Sequence, residues 1–427
     1  MNPLFDRKFF IPDGEARKMS DGRLYVYGSA DISGEPDYCS NRYYVFSTDD
    51  MVNWTNHGIS FKSSIYEDAN LKEAVTMGGP DCVEKDGKYY LYYCTSDNGE
   101  GVAVSDTPYG PFKNPKPIEY ADKNGIDPAV FIDDDGEAYY YWGQFELQAA
   151  KLKKNMCELD MSTYRRCIAS EWEHGFHEGA SMRKRNGLYY LVYTDITRGR
   201  ATCLSYAIGK HPLGPFERKG VIIDNMGCDP KTWNNHGSIE EINGQWYIFY
   251  HRSSMNTVAN RRMCAEPIYF SDTGEIEEVR MTSQGSTGPI MANTKIDASI
   301  ACRLRHVSWD SGPQQPLHIV PSAGHGEILT QSRDGDWAEY KYVDFQGGAT
   351  RFRICVSTVK RCKIAIATEG KVIGECEIDI TGGWDKWKEF EGQLKEPVQG
   401  IHAVWIFIKG IKGEPGRLAD IDWFSFE

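Results

Sequence analysis

The stretch His177–Thr194, HEGASMRKRNGLYYLVYT, decides the fold. It sets an acid, Glu178, nine residues ahead of the glycine of an Asn-Gly pair, Asn186-Gly187, and then runs into the aromatic and aliphatic segment Leu188–Tyr193. The same phrase recurs as PDGEARKMSDGRLYVYGS (12–29), GGPDCVEKDGKYYLYYCTS (78–96), IDPAVFIDDDGEAYYYWG (126–143) and NHGSIEEINGQWYIFYHR (235–252). Each copy joins two strand-forming runs through Asp-Gly or Asn-Gly, the dipeptides that suit the positive φ values of a tight hairpin turn. Such pairs alone are weak signals, because Asn98-Gly99, Asn124-Gly125 and Asp334-Gly335 lack the aromatic run.

The turn glycines Gly22, Gly87, Gly136, Gly187 and Gly244 are 65, 49, 51 and 57 residues apart. Strand-rich periods of that length predict four-stranded propeller blades, and five copies predict five blades around a channel. Counting back nine residues from the glycines gives Asp13, Gly78, Asp127 and Glu178; eight back from Gly244 gives His236. Equivalent positions in a rotational repeat lie on one ring, so three carboxylates and a histidine are expected at one channel mouth. The odd spacing at His236 requires a bulge or a different hairpin loop, since a one-residue slip reverses a side chain. The second blade offers glycine on the ring and an acid, Asp81, three residues later. Asp133, Asp134 and Asp135 are read as hairpin acids only.

These phrases resemble glycoside hydrolase family 43, five-bladed propellers that cleave arabinose- and xylose-containing glycans. The resemblance covers about residues 5–290 and rests on Pro12-Asp13 with Glu15 and Arg17, Ile126-Asp127-Pro128, His177-Glu178-Gly179 and His236-Gly237-Ser238. It implies Asp13 as general base, Glu178 as general acid, and Asp127 as the carboxylate that orients the acid and keeps its pKa high. It also implies His236 beside a partly hydrated calcium ion in the channel. Arg262 or its neighbour Arg261 would reach into the site, while His251 is read as structural. Where many relatives have Trp-Ala-Pro, this chain has Gly78-Gly79-Pro80 and loses an apolar wall of the sugar pocket.

From about residue 300 the pattern changes to short alternating strands at sandwich spacing: 337–345, 351–357, 363–368, 372–380, 387–390, 400–408 and 421–426. This part resembles carbohydrate-binding module family 6, through Gly335-Asp336-Trp337, Thr381-Gly382-Gly383-Trp384 with Trp387, and Asp420-Ile421-Asp422-Trp423-Phe424. The family commonly has Asn where Asp420 stands, and a sugar-facing aromatic in a loop that here, at 325–331, has none. Trp384 is the one expected platform, so the module either binds sugar or braces the propeller. The expected organisation is all-β, with a five-bladed β-propeller at 1–290 and a jelly-roll-like β-sandwich at 291–427, divided within the Gly-, Ser- and Thr-rich 284–294.

Between the repeats, 40–54 reads as a strand ending in a turn, and 55–77 as a long polar loop over the site. DTPYGPF (106–112) and HPLGPF (211–216) read as matching edge turns. The segment around Asp272-Thr273-Gly274 reads as a strand pair completing the fifth blade.

The chain has 427 residues, 42 glycines, 13% aromatic residues and a net charge of −13 with no long acidic run. That charge argues against nucleic acid or an anionic membrane as partner, and no 18-residue apolar stretch exists to span a bilayer. Twelve cysteines include no CxxC pair. Together with an N-terminus lacking a signal-like apolar core, they lead us to expect a reducing cytoplasm; the alternative is a secreted protein with its signal removed. The expected activity is exo-acting, inverting release of α-L-arabinofuranosyl residues from arabinoxylan or arabinan oligosaccharides of plant cell-wall type. The alternatives are β-xylosidase activity and a non-catalytic sugar-binding propeller. A retaining fructan hydrolase fits less well, since that group carries Arg-Asp-Pro where this chain has Ile126-Asp127-Pro128.

Overall fold

The computed structural model describes residues 1–63, 75–97, 99–119, 125–305, 315–411 and 416–427. The first blade is an antiparallel sheet of Glu15–Lys18, Leu24–Gly28, Arg42–Thr48 and Thr55–Lys62. The second holds Asp81–Lys85, Lys88–Cys94, Glu100–Ser105 and Lys113–Pro117, and the third Ala129–Ile132, Ala138–Trp142, Glu146–Leu152 and Leu159–Ser170. The fourth holds Phe176–Arg185, Leu188–Asp195, Cys203–Gly209 and Phe216–Asp224. The fifth has Ser238–Ile242, Gln245–Ser254 and Thr257–Ile268.

The second strand of each blade is buried on both faces, and its alternating residues feed two different interfaces. Tyr25 and Tyr27 pack with Tyr89 and Leu91 of the second blade, whereas Leu24 and Val26 pack with Phe249 and Met263 of the fifth. Tyr92 meets Val130 and Tyr140; Tyr139 and Tyr141 meet Tyr189 and Leu191; Tyr190 and Val192 meet Ile248 and Tyr250. The aromatic runs are therefore blade packing, and no blade can bury both of its faces alone.

Two expectations change. Most of the described part of 55–77 is the fourth strand of the first blade, Thr55–Lys62; residues 64–74 of that expected loop lie outside the described residues. Of the two strands expected on either side of Asp272-Thr273-Gly274, the first is Thr257–Ile268, the fifth blade's third strand, and the second is reduced to a single bridge, Ile276 to Phe270, across a turn at Gly274. N-terminal residues lie along the fifth blade's outer strand instead: the Leu4 amide donates to Met263 O (2.9 Å) and Asn2 Nδ2 to Ala265 O (3.2 Å). The chain's start thus fastens the last blade to the first.

The second unit folds as one twelve-stranded sheet curled over a core that includes Ile354, Ile364, Ile406 and Phe424. One half contains Trp337–Asp344, Ile401–Gly410, Cys362–Thr368 and Lys371–Ile378; the other contains Gly383–Val398, Ala349–Thr358, Asp420–Phe426, Gly326–Thr330 and His318–Ser322, and the halves join where Gly374 pairs with Leu394. The expected short strand at 387–390 is the middle of the sixteen-residue Gly383–Val398. The division expected at 290/291 falls inside the short strand Ile290–Met291, which pairs with Trp337–Asp344.

The two units meet through buried polar contacts. Arg262 forks onto Glu327, with Nη1 to Oε2 at 2.9 Å and Nη2 against Oε1; Nη2 also donates to Arg7 O, and both side chains are buried. Removing one partner of such a pair leaves a desolvated charge and typically costs about 3–5 kcal/mol. Glu327→Ala is therefore expected to lower the guanidinium midpoint by an amount of that order, with Glu327→Gln, which retains a hydrogen bond, losing less. Equal midpoints for Glu327→Ala and the parent would show that the pair does not hold the units together.

Candidate active site

One cavity of about 410 Å³ opens at the channel mouth, and Asp13, Gly79, Asp127, Glu178 and His236 all line it. The five blades each contribute from just before their first strand, or from its start. In the second and fifth blades, two-residue hairpins at Asp86-Gly87 and Asn243-Gly244 and an unbroken ladder give a spacing of eight. In the fourth blade the ladder slips between Glu178/Thr194 and Ser181/Val192, a bulge that adds one residue. In the first and third blades the hairpin loops are longer, 19–23 and 133–137. The slip that the sequence locates at His236 is thus a bulge beside Glu178, and by this register the ring glycine of the second blade is Gly79.

Both glycines that face His236 are needed for close approach. A Cβ on Gly79 would stand 2.4 Å from His236 Cε1, and one on Gly179 3.0 Å from His236 Cδ2. The Gly79 amide donates to Asp127 Oδ1 (3.2 Å). His236 Nδ1 stands 3.6 Å from Asp127 Oδ2 and 3.9 Å from Asp13 Oδ1, so the imidazole lies between the two acids. Asp13 and Asp127 both hold left-handed backbone, φ 56° and 51°. That conformation is uncommon outside glycine and is maintained only where surroundings over-determine it.

The three carboxyl groups have different electrostatic surroundings. Burial works to raise the Asp13 pKa, but Arg261 foremost, with His236, His251 and the Ser29 hydroxyl, overrides it and holds the group at about 2. Arg261 Nη1 donates to Asp13 Oδ1 (2.9 Å) and Ser29 Oγ to Oδ2 (2.5 Å). His251 approaches Asp13 Oδ1 to 3.5 Å, yet burial and then Arg261 push its pKa down to about 3, so it sits there neutral. Asp127 is raised to about 7, by burial first and then by the Asp13 charge. Glu178 is raised by burial and then by Asp127, and accepts from Gln144 Nε2 (2.7 Å). Asp13 is therefore an anion at neutral pH, while burial and then the neighbouring acid raise both Asp127 and Glu178.

Arg262 is not in the cavity. Successive residues of a strand face opposite sides, so Arg261 turns to the site and Arg262 to Glu327. Trp384 has the Arg417 guanidinium seated 3.7 Å from its ring centroid, and Arg417 also forks onto Asp420. That face of the indole is therefore covered. Asp420 stands where the family resemblance expects Asn, and it answers Arg417 rather than a sugar. Asp81, the acid offered by the second blade, lies deeper in the channel, where Arg17 Nε and Nη2 reach it at 2.9 and 2.6 Å. Beside it Arg183 bridges Glu15 (2.7 Å) and Glu240 (2.9 Å), so a buried ion network fills the channel below the cavity. Sequence reasoning missed Gln144, Tyr38 and Trp233, which also line the cavity. No repeat position marks them.

A ring of blades that brings an ionised acid and two carboxyl groups of raised pKa into one cavity is the equipment of a glycosidase. Residues 3–276 match the model of glycosyl hydrolases family 43, and 306–427 that of a carbohydrate binding module, family 6. The chain belongs to glycosyl hydrolase family 43 and is a glycoside hydrolase. It is 30% identical to a xylosidase/arabinosidase of Thermoclostridium stercorarium, with 96% of each chain covered. A family 43 arabinoxylan arabinofuranohydrolase from Bacillus subtilis, solved with cellotetraose, is 25% identical, with a TM-score of 0.56 over 100% of this chain and 97% of that one. A β-xylosidase/α-arabinofuranosidase from a compost metagenome, solved with xylotriose in a calcium-free form, is 30% identical, with a TM-score of 0.55 over 66% of this chain and 97% of that one.

Because Arg261 is what holds Asp13 ionised against its burial, Arg261→Gln is expected to raise the Asp13 pKa by about one to three units. A carboxyl carbon resonance titrating well above the parent value would show this. The sign for stability follows: a depressed carboxyl stabilises the fold above its unfolded pKa, and that contribution is lost as the pH falls toward 2. Arg261→Lys keeps the charge and should shift the resonance less.

Proposed function

We propose that the chain is an exo-acting, inverting α-L-arabinofuranosidase that removes single arabinosyl branches from arabinoxylan- or arabinan-type oligosaccharides. The observation that carries the reading is the contrast between Asp13, an anion held by Arg261, and Glu178, a carboxyl whose pKa burial and then Asp127 raise, in one cavity. Water enters between Asp13 and the anomeric carbon. Asp13 takes its proton as the oxygen attacks, and Glu178 gives its proton to the departing glycosidic oxygen, so the sugar leaves with inverted configuration. Asp127 keeps the proton available on Glu178, and Gln144 fixes the acid's direction. The polar channel network beneath the cavity leaves no passage for a threaded chain.

The name xylosidase/arabinosidase borne by the Thermoclostridium stercorarium relative favours a second reading, β-xylosidase activity on the same residues. Catalytic activity in either form rests on carboxyl chemistry that a sugar-binding propeller would not require. A reducing compartment and a division into units at 1–290 and 291–427 accompany the proposal. All twelve cysteines are unpaired, which supports the first.

Calcium, which the compost-metagenome relative's calcium-free form associates with the family, would rest here on His236. The ion prefers six to eight oxygen ligands. Among the described residues no three His, Cys, Asp or Glu side chains group to hold a metal, and Asp13 is already bonded to Arg261. These donors fit a resident calcium poorly, and no step is routed through one. Prolonged chelation followed by desalting is expected to leave both turnover and melting temperature unchanged; a loss restored by added calcium would contradict that.

Glu178→Gln is expected to lower turnover about 10²–10⁴-fold while oligosaccharide binding persists. Proton NMR of the first product from 4-nitrophenyl α-L-arabinofuranoside should show the β-anomer. A first product of retained configuration would rule out water activation by Asp13. Comparison with the β-D-xylopyranoside decides between the two substrate readings.

A further inference from the structure

A base that takes up a proton in every turnover passes through two protonation states, and its neighbours must suit both. Asp13 Oδ1 is held by Arg261 Nη1 (2.9 Å), and a guanidinium can only donate. His251 Nδ1, 3.5 Å from the same oxygen, takes the Asp13 amide. Oδ2 has different company. The Ser29 hydroxyl donates to it at 2.5 Å, and Cys39 Sγ stands 3.7 Å away. A hydroxyl both donates and accepts, and its hydrogen can turn.

Both residues are fixed by the first blade and by Arg261. Ser29 follows the strand Leu24–Gly28, is fully buried and does not line the cavity, so it backs Asp13 and stays out of reach of a substrate. Cys39 does line the cavity. Its backbone is left-handed, φ 64°, a strained state that its surroundings must hold. Its amide donates to Asp31 Oδ1 (2.9 Å), and its Sγ accepts from Arg261 Nη2 (3.3 Å). The same sulfur lies 3.5 Å from Ser29 Oγ, to which its S–H donates. Burial pushes the Cys39 thiol up, so it keeps its hydrogen even beside the guanidinium. Cys39 S–H, Ser29 O–H and Asp13 Oδ2 therefore form a short chain of donors that points at the carboxylate.

We infer that Ser29 and Cys39 are positioning residues for Asp13, and that their chain of hydrogens reverses during the reaction. Ser29 donates to Oδ2 while Asp13 is an anion and accepts from it once the proton of the attacking water has arrived. Cys39 Sγ receives the Ser29 hydrogen in that second state. The inference rests on the hydrolase reading above and adds two residues to it. In the step itself the water O–H bond breaks, the water oxygen bonds the anomeric carbon, and the proton goes to Asp13 Oδ2. Ser29 and Cys39 keep their own hydrogens and only turn them. Oδ1 is the poorer acceptor, because a proton there would face the fixed donor of Arg261. Without the turn, two hydrogens would meet across the 2.5 Å between Ser29 Oγ and Asp13 Oδ2, and a buried polar group left unbonded is destabilising.

The test measures kcat and KM on 4-nitrophenyl α-L-arabinofuranoside and β-D-xylopyranoside for the parent, Ser29→Ala, Cys39→Ala and Cys39→Ser, with melting temperatures to confirm folding. Ser29→Ala is expected to lower kcat about 10–100-fold, the worth of one hydrogen bond to a charged group. Its KM should stay within about threefold of the parent, since a group acting only after substrate is bound moves kcat. The Asp13 carboxyl carbon should also titrate at higher pH in that variant, because a donor to the charged form is gone. Cys39→Ala should leave that titration in place, as Ser29 still donates to the anion, yet lower kcat about three- to tenfold. Cys39→Ser, which restores an acceptor, should return kcat to within about twofold of the parent. Parent-like kcat in Ser29→Ala, or equal kcat in the two Cys39 variants, overturns the inference and leaves the hydrolase reading standing. Should Ser29→Ala fail to fold, the Cys39 pair, at a half-buried position, decides alone. A parent enzyme inert on both glycosides overturns both.

Discussion

The guanidinium of Arg261, buried between two carboxylates, is the constraint from which the rest of the molecule follows. Its amide and Nε bond Asp31 Oδ2 at 2.9 and 3.0 Å, Nη2 bonds Asp31 Oδ1 at 2.9 Å, and Nη1 is left for Asp13. Arg261 comes from the fifth blade, and both acids come from the first. The bond that closes the propeller is therefore also the bond that fixes the charge of the group proposed to activate water. An arginine is suited to this because its fork satisfies two carboxylates in fixed directions and remains charged when buried. A lysine at this position would offer a point charge and no second direction. Burial first raises Asp127 and Glu178, and with Asp13 ionised by this contact its charge adds to the rise of Asp127, as Asp127 adds to that of Glu178. The acid–base asymmetry of the site thus combines one cation on Asp13 with burial of the other two acids.

Much of this was legible in the sequence because a rotational repeat turns equal spacing into spatial coincidence. The phrase at 177–194 and its four copies were enough to place Asp13, Asp127, Glu178 and His236 at one mouth. The tyrosine-rich runs were readable as packing, since residues buried on both faces leave no polar side to the strand. The spacing was nonetheless a composite. Nine residues arise from a longer hairpin in the first and third blades and from a bulge in the fourth, whereas eight is the plain ladder. Counting alone cannot separate these, because a bulge and a longer turn each add residues without a local signature beyond glycine. The ring position in the second blade was consequently read one residue early.

What stayed hidden were side chains whose role depends on which face of a strand they occupy, or on connections with no repeat. The neighbouring arginines at 261 and 262 are identical in composition and opposite in direction. Only the ladder, with Arg262 opposite Arg252 and Arg261 opposite Ser253, decides which one turns inward. Gln144 and Trp233 lie between repeats, where spacing carries no information. The indole of Trp384 was visible as an aromatic beside a glycine pair, but its covering cation, Arg417, is distant in sequence. The substitution of Asp420 for the family's Asn was the available clue: an anion there recruits an arginine, and the arginine takes the stacking face.

That last exchange bears on why the second unit is attached at all. One face of its expected sugar platform, Trp384, is engaged by its own arginine, while its Glu327 reaches the propeller at Arg262, whose guanidinium also lies 4.7 Å from the Phe10 ring centroid and bonds the Arg7 carbonyl. Phe10 is three residues before Asp13, and its carbonyl accepts from the amide of Asp31. One strand, Thr257–Ile268, therefore holds the sandwich with one arginine and the first blade's two acids with the next. The segment leading to Asp13 is pinned from both sides. Coupling through packed contacts of this kind needs no motion and no signal; it needs only that the strand cannot shift without disturbing both charges. Here a buried, bidentate Glu327 pair ties the second unit to the propeller, and Arg417 covers one face of Trp384.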